Sequence, residues 1–175
     1  AGASLYELAW GRDYRDVTPE EPDKSISAAE TFSTDLDNPI EILQEFLRMT
    51  EKATARLRDK GLFAKTISIK VRFADFSTIN RSKTLPLAID STHEVYEVVK
   101  ALYLALKIDR ARLRLVGVSL ENLQEDSPEQ LVLGAREKGW RDAEGAIDRA
   151  KARFGRGSVR PGRLIKAESD EEETD

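Results

Sequence analysis

Four polar residues at alternate positions, Thr66, Ser68, Lys70 and Arg72, offer the plainest chemistry in this chain. Ile67, Ile69, Val71 and Phe73 fill the positions between them. A strand sends successive side chains to opposite faces of its sheet. One face is therefore apolar, and the other carries only hydroxyls and cations. Arg81, Ser82, Lys83 and Thr84 bring a second such set on the next predicted strand, and Arg112 and Arg114 a third. Hydroxyls, cations and strand N–H groups donate to phosphate oxygens. The expected ligand is a polyanion; the alternative is a solvated face with no ligand. No aromatic residue falls on that face, so a base-stacking platform is not expected there.

A second candidate is the apolar island Gln130-Leu131-Val132-Leu133-Gly134, set in a polar segment that contains Pro128. Such a peptide docks in a partner's groove and orders as it binds, or folds back on its own domain. Catalytic constellations are poor. His93 is the single histidine, lies in the first turn of a predicted helix, and is expected to be exposed and idle. Asp75 sits between two strands and reads as a turn residue. Gly155-Arg156-Gly157 lacks the strand-to-helix context of a phosphate loop. The chain has no cysteine, which excludes disulfides and thiolate metal sites.

The elements that position these residues follow from periodicity. Leu5 to Trp10 reads as a short amphipathic helix ended by Gly11, and residues 12–23, with Pro19 and Pro22, as an extended linker. A first strand is predicted over Lys24–Thr34. Asn38, Pro39 and Glu41 spell a helix start. Leu43, Phe46, Leu47, Thr50, Ala53 and Leu57 then recur at helical spacing up to Gly61. The strand Lys65–Phe73 and a strand Ser77–Leu85, ended by Pro86, are expected to pair as an antiparallel hairpin. Ser91-Thr92-His93-Glu94 spells a capping box before Val95, Val98, Val99, Leu102, Tyr103 and Leu106. A last strand is read from Ala111 to about Leu120, with Leu113, Leu115 and Gly117 opposed to Arg112, Arg114 and Val116. The fold class is α+β, in the order β-α-β-β-α-β. Its four-stranded, mainly antiparallel sheet carries two helices on one face and leaves the other open. One further helix, marked by Trp140, Ala143, Ile147, Ala150 and Phe154, follows in the C-terminal tail.

The formal net charge is −4 over 175 residues, which argues against a nucleic-acid binder. The last eight residues hold six acids, Glu168, Asp170, Glu171, Glu172, Glu173 and Asp175, and setting them aside leaves +2. A terminal run of like charge reads as a solvated tail. No apolar run is long enough to span a bilayer, and no signal-peptide pattern is evident at the N-terminus.

Leu5 to Asp13, Lys24 to Phe32, Val71 to Phe76 and Arg81 to Leu85 together resemble the C-terminal part of bacterial DNA polymerase IV, the DinB branch of the Y-family translesion polymerases. Arg153 to Pro161 is similar to the C-terminal extension of actinobacterial members. The resemblance implies that residues 1–11 end the thumb and 12–23 form a linker. Residues 24–123 would be the little finger, 124–139 a clamp-binding peptide and tether, 140–155 a C-terminal helix, and 156–175 a disordered basic and then acidic tail. It implies contact with the backbone of primer-template DNA through Lys24, Ser25 and Thr31 on the first strand and Arg81, Ser82, Lys83 and Thr84 on the third. It also implies that Gln130 to Gly134 enters a pocket on the β sliding clamp. Here Gly134-Ala135 follows, where such peptides often end in a large hydrophobic residue. The metal-binding carboxylates of the family lie in the palm, and no segment here resembles those motifs. The chain is therefore expected to have no catalytic residue and no cofactor, the parent's Mg2+ belonging to the palm. It is expected to be a cytoplasmic monomer and to serve an error-prone polymerase in DNA damage tolerance and repair. Two other readings stand beside it. One is a protein-interaction module with an idle sheet face; the other is a self-contained enzyme using Asp75 or His93.

Overall fold

Two locally encoded helices and one hairpin set the architecture. The computed structural model describes residues 2–15, 22–108, 111–125, 140–155 and 157–164. Helix α1 spans Gly2–Ala9, strand β1 Ser25–Leu36 and helix α2 Pro39–Asp59. Strands β2 and β3 span Phe63–Phe73 and Thr78–Ile89. Helix α3 is Thr92–Ala105, strand β4 Leu113–Gln124 and helix α4 Trp140–Phe154, with a short 3-10 turn at Gly162–Leu164.

Asn38 caps α2 as its spelling requires: its side-chain oxygen accepts from Ile40 N at 3.0 Å, with Pro39 following. Ser91 caps α3, and Gly61 leaves α2 at φ 65°, a left-handed value glycine adopts without strain. Phe46, Met49, Ala53 and Leu57 face the sheet and are fully buried. Each large apolar side chain so buried contributes about 1.5–3 kcal/mol relative to exposure. Thr50 and Thr54 are buried with them, their hydroxyls donating to the carbonyls of Phe46 at 2.7 Å and Thr50 at 2.9 Å.

The sheet order is β1-β4-β2-β3, with every neighbouring pair antiparallel. Helix α2 packs over β1 and β4 and α3 over β2 and β3, so both cover one face. Ile67, Ile69 and Val71 of β2 and Val116, Val118 and Leu120 of β4 form the sheet's contribution to the core. The expected α+β class, element order and open second face are all present.

Two details differ from the sequence reading. Strand β3 does not stop at Pro86 but runs to Ile89. It is an edge strand, and its register with β2 slips between Ala64 and Thr66. A missing N–H at an irregular edge costs no ladder bond. The faces of β4 also change along its length. Phe73 pairs with Leu113 but Arg72 pairs with Leu115, so Arg114 is an extra residue in a β-bulge. Leu113 is a core residue as expected, but beyond the bulge the faces reverse: Val116 is core, while Leu115 and Gly117 fall on the open face. The Gln130 to Gly134 island, half of the linker (residues 16–21) and the acidic tail lie outside the described residues.

Candidate nucleic-acid interface

Directly opposed residues of antiparallel strands share a face, so the register lays the open face out in four rows. Across β1, β4, β2 and β3 these are Thr31-Leu115-Arg72-Thr78, Ala29-Gly117-Lys70-Asn80, Ser27-Ser119-Ser68-Ser82 and Ser25-Glu121-Thr66-Thr84. One row consists of four serines. Beside it, Ala29 and Gly117 keep the floor low. A Cβ placed on Gly117 would stand 3.0 Å from the Cβ of Ala29, tight enough that Ala29 would have to give way by a few tenths of an ångström. The centre is a shallow concavity of about 420 Å³ lined by Ser27, Ser68, Lys70, Asn80, Ser82 and Ser119 among others. Small hydroxyls on a flat floor leave backbone-sized ligands free to approach, and Lys70 stands exposed among them.

Ser25, Thr31, Ser68, Lys70, Arg72, Ser82 and Thr84 take their expected place on this face. Arg72 is half-buried and donates from Nε to Thr78 Oγ1 at 3.1 Å, which orients its guanidinium across the hairpin. Thr66 lies on the face but is buried, with its hydroxyl held by Thr84 at 2.9 Å and Asn122 at 2.7 Å. It stiffens the face rather than offering a free donor. Lys24 is exposed just before β1.

The remaining cations differ from expectation. Arg81 and Lys83 oppose Ile69 and Ile67, so their register is that of the helix-covered side. They stay exposed because β3 is the outer edge. Arg112 precedes β4 and lies 3.4 Å from Asp35, while Arg114, on the bulge, lies 3.9 Å from the same carboxylate. These two do not form a third row; they form a partly neutralised cluster at one end of the sheet. The face also carries one acid, Glu121, which alternation through a regular β4 would have placed elsewhere. Sequence reasoning missed Ser27, Ser119, Asn80 and Thr78. Alternation from Ser25 was signal enough for Ser27; Ser119 required the bulge.

At that same end, Asp75 accepts from Ser77 N at 2.9 Å and Ser77 Oγ at 2.6 Å, closing the β2–β3 turn. The Ser77 hydroxyl is the main cause holding the Asp75 carboxyl below its ordinary range. A turn role was the expectation.

The far side of the molecule holds a second polar cluster. Buried Glu144 of α4 accepts from Thr92 N at 2.8 Å, His93 N at 3.0 Å and Ser91 Oγ at 3.2 Å, so it caps the N-terminus of α3 from another helix. Arg58 of α2 pairs with Glu144 at 3.1 Å and Asp148 at 2.7 Å. Lys151 reaches Glu51 at 3.1 Å, and Arg141 reaches Asp90 at 3.4 Å. Burial pushes the Asp90 carboxyl up, against the opposing pull of Arg141 and Arg58. His93 is not idle: its ring stacks on Trp140 with centroids 4.6 Å apart. That contact is one of packing. Among the described residues, no group of three or more His, Cys, Asp or Glu is placed to hold a metal ion. Nor is any helix among them long and apolar enough to cross a membrane.

Residues 23–133 match the profile of the impB/mucB/samB family C-terminal domain. The chain is 31% identical over 165 residues to DNA polymerase IV 1 of Mesorhizobium japonicum, covering 92% of this chain and 37% of that protein. It is 36% identical over 125 residues to DNA polymerase IV of Alkalilimnicola ehrlichii, covering 71% and 35%. With DNA polymerase IV of Dehalococcoides mccartyi it shares 33% over 164 residues, covering 93% and 42%. The chain thus spans between 35% and 42% of the length of these relatives. Among solved structures, a Y-family DNA polymerase chimera and a post-insertion binary complex of Dbh DNA polymerase each superpose with a TM-score of 0.50. They do so at 21% and 19% identity, over 70% of this chain and 35% of theirs, and share its fold.

Proposed function

The chain belongs to the impB/mucB/samB family C-terminal domain, and from that premise we propose that its open sheet face grips duplex DNA by the phosphate backbone on behalf of a translesion polymerase. The observation that carries this reading is the four-row face itself. It is a serine-lined floor with Lys70 and Arg72 on it, Arg81 and Lys83 along its edge, and Glu121 as its one acid. Hydroxyls and cations without base-edge readers give affinity that falls with salt and depends little on sequence. Primer-template duplex is the substrate class. The relatives named DNA polymerase IV support it, as does the fold shared with Y-family polymerases. The parent protein is a DNA-directed DNA polymerase; its nucleotidyl transfer, with Mg2+, resides outside this chain.

In the same proposal, Gln130, Leu131, Val132, Leu133 and Gly134 form the peptide that seats in the β sliding clamp. Linkage to a clamp raises the local concentration of the polymerase on its template. The support is the sequence alone: an apolar island in polar surroundings.

Two paired substitutions test the face. Lys70→Ala with Arg72→Ala, and Arg81→Ala with Lys83→Ala, should each weaken duplex binding and flatten its salt dependence. The slope should fall by about one unit for each phosphate no longer neutralised. Unchanged affinity and slope in both pairs would leave the face idle and return the chain to a protein-interaction role.

A further inference from the structure

We propose that Phe76, at the tip of the β2–β3 turn, is a stacking platform for an unpaired nucleobase of a strand running off the sheet face; this rests on the reading of that face as a backbone-binding surface. The position is a poor one for phenylalanine on local grounds. Its φ is 68°, a left-handed value that suits glycine or asparagine, and 64% of the residue is exposed. It packs into no part of the core. The turn does not need the ring, since Asp75, Ser77 and the bond from Phe76 N to Phe73 O close it. Strain and exposure together call for a use outside the fold.

What surrounds the ring identifies its partner. The Arg114 guanidinium lies over it with Cζ 4.9 Å from the centroid. Ala74 N donates to Arg112 O at 3.0 Å, so the turn is tied to the start of β4 and its two arginines. Arg72 and Thr78, two to four residues away, form the last row of the open face with Thr31 and Leu115. A ring capped by one guanidinium keeps surface for a second flat group. Arg114 lies over the ring and Arg112 and Arg72 stand at the same end of the sheet, so the arginines outnumber the Asp35 and Asp75 carboxylates there and favour a ligand that is both planar and anionic. A nucleotide of a single strand is such a ligand: base on ring, phosphate on arginine. An apolar protein segment would gain nothing from the cationic rim.

The experiment uses the whole 175-residue chain and a duplex with a short single-stranded overhang, either base-bearing or abasic. The native chain should prefer the base-bearing overhang by about ten-fold, a typical stacking contribution. Phe76→Gly, which relieves the left-handed backbone, should bring the ratio near one, and Phe76→Trp should keep it. A native chain blind to the bases, or a Phe76→Gly chain that keeps the ratio, overturns the proposal, the second because the base is then held elsewhere on the chain. Failure of the native chain to bind the duplex at all overturns the sheet-face reading and this one with it.

Discussion

Gly117 shows how single residues shape the face. It is buried at the centre of the open surface, where the backbone of β1 approaches within van der Waals distance. A Cβ there meets Ala29 Cβ at 3.0 Å and Ala28 O at 3.4 Å. Gly117→Val should therefore cost about 1–3 kcal/mol through overpacking, read as a lower urea midpoint. Adding Ala29→Gly should recover part of that loss, because the two sites touch. Asp90 makes a second residue-scale case. Burial raises its pKa above the ordinary 3.8. The folded state therefore holds that proton more tightly than the unfolded chain, and Asp90's contribution to stability falls as pH rises above 3.8. The stability of Asp90→Asn relative to the native chain should accordingly be higher at about pH 7 than at about pH 4 in parallel denaturant titrations.

Among the elements, α4 is the one whose place could not be read from sequence. Its apolar spacing suggested a face through Trp140, Ala143, Ile147, Ala150 and Phe154. In the fold Phe154 is 68% exposed, and the helix is fixed largely by acids that look solvent-facing in the sequence. Glu144 and Asp148 find Arg58, 86 and 90 residues away, and Glu144 finds the α3 N-terminus. Glu144→Ala should cost about 2–4 kcal/mol, since it leaves Arg58 less compensated and two helix N–H groups without an acceptor. Faster amide exchange at Thr92 and His93 would localise the loss. By contrast α2, α3 and the β2–β3 hairpin were legible. Their signals are local: Asn38-Pro39, Ser91 and the alternation of Lys65–Phe73. The faces of Arg81, Lys83, Leu115 and Glu121 were not legible. Those of Arg81 and Lys83 depend on the exact register of β3 on β2, which alternation alone does not give, and those of Leu115 and Glu121 on the bulge at Arg114, set by packing between β2 and β4, strands far apart in the chain. The four-serine row shares that cause, as its members come from four separate strands.

At the scale of the whole molecule, the layers separate two roles. The sheet's open face lies on one side, the two helices cover the other, and α4 docks against those helices through Arg58, Glu51 and the α3 N-terminus. DNA on the open face would not meet α4. Ending the chain at Glu125 should therefore lower the thermal midpoint while duplex binding persists. Gln130→Ala with Leu133→Ala should abolish capture by immobilised β clamp and leave duplex affinity as it was; equal clamp binding before and after would move that site elsewhere. The central claim is that the face is a phosphate grip. Its most direct test is a salt titration of the 175-residue chain against blunt duplexes of two unrelated sequences. A phosphate grip predicts equal affinities and a log–log slope of about −2 to −4, from a few neutralised phosphates. Absent binding, or affinity that ignores salt, would contradict it.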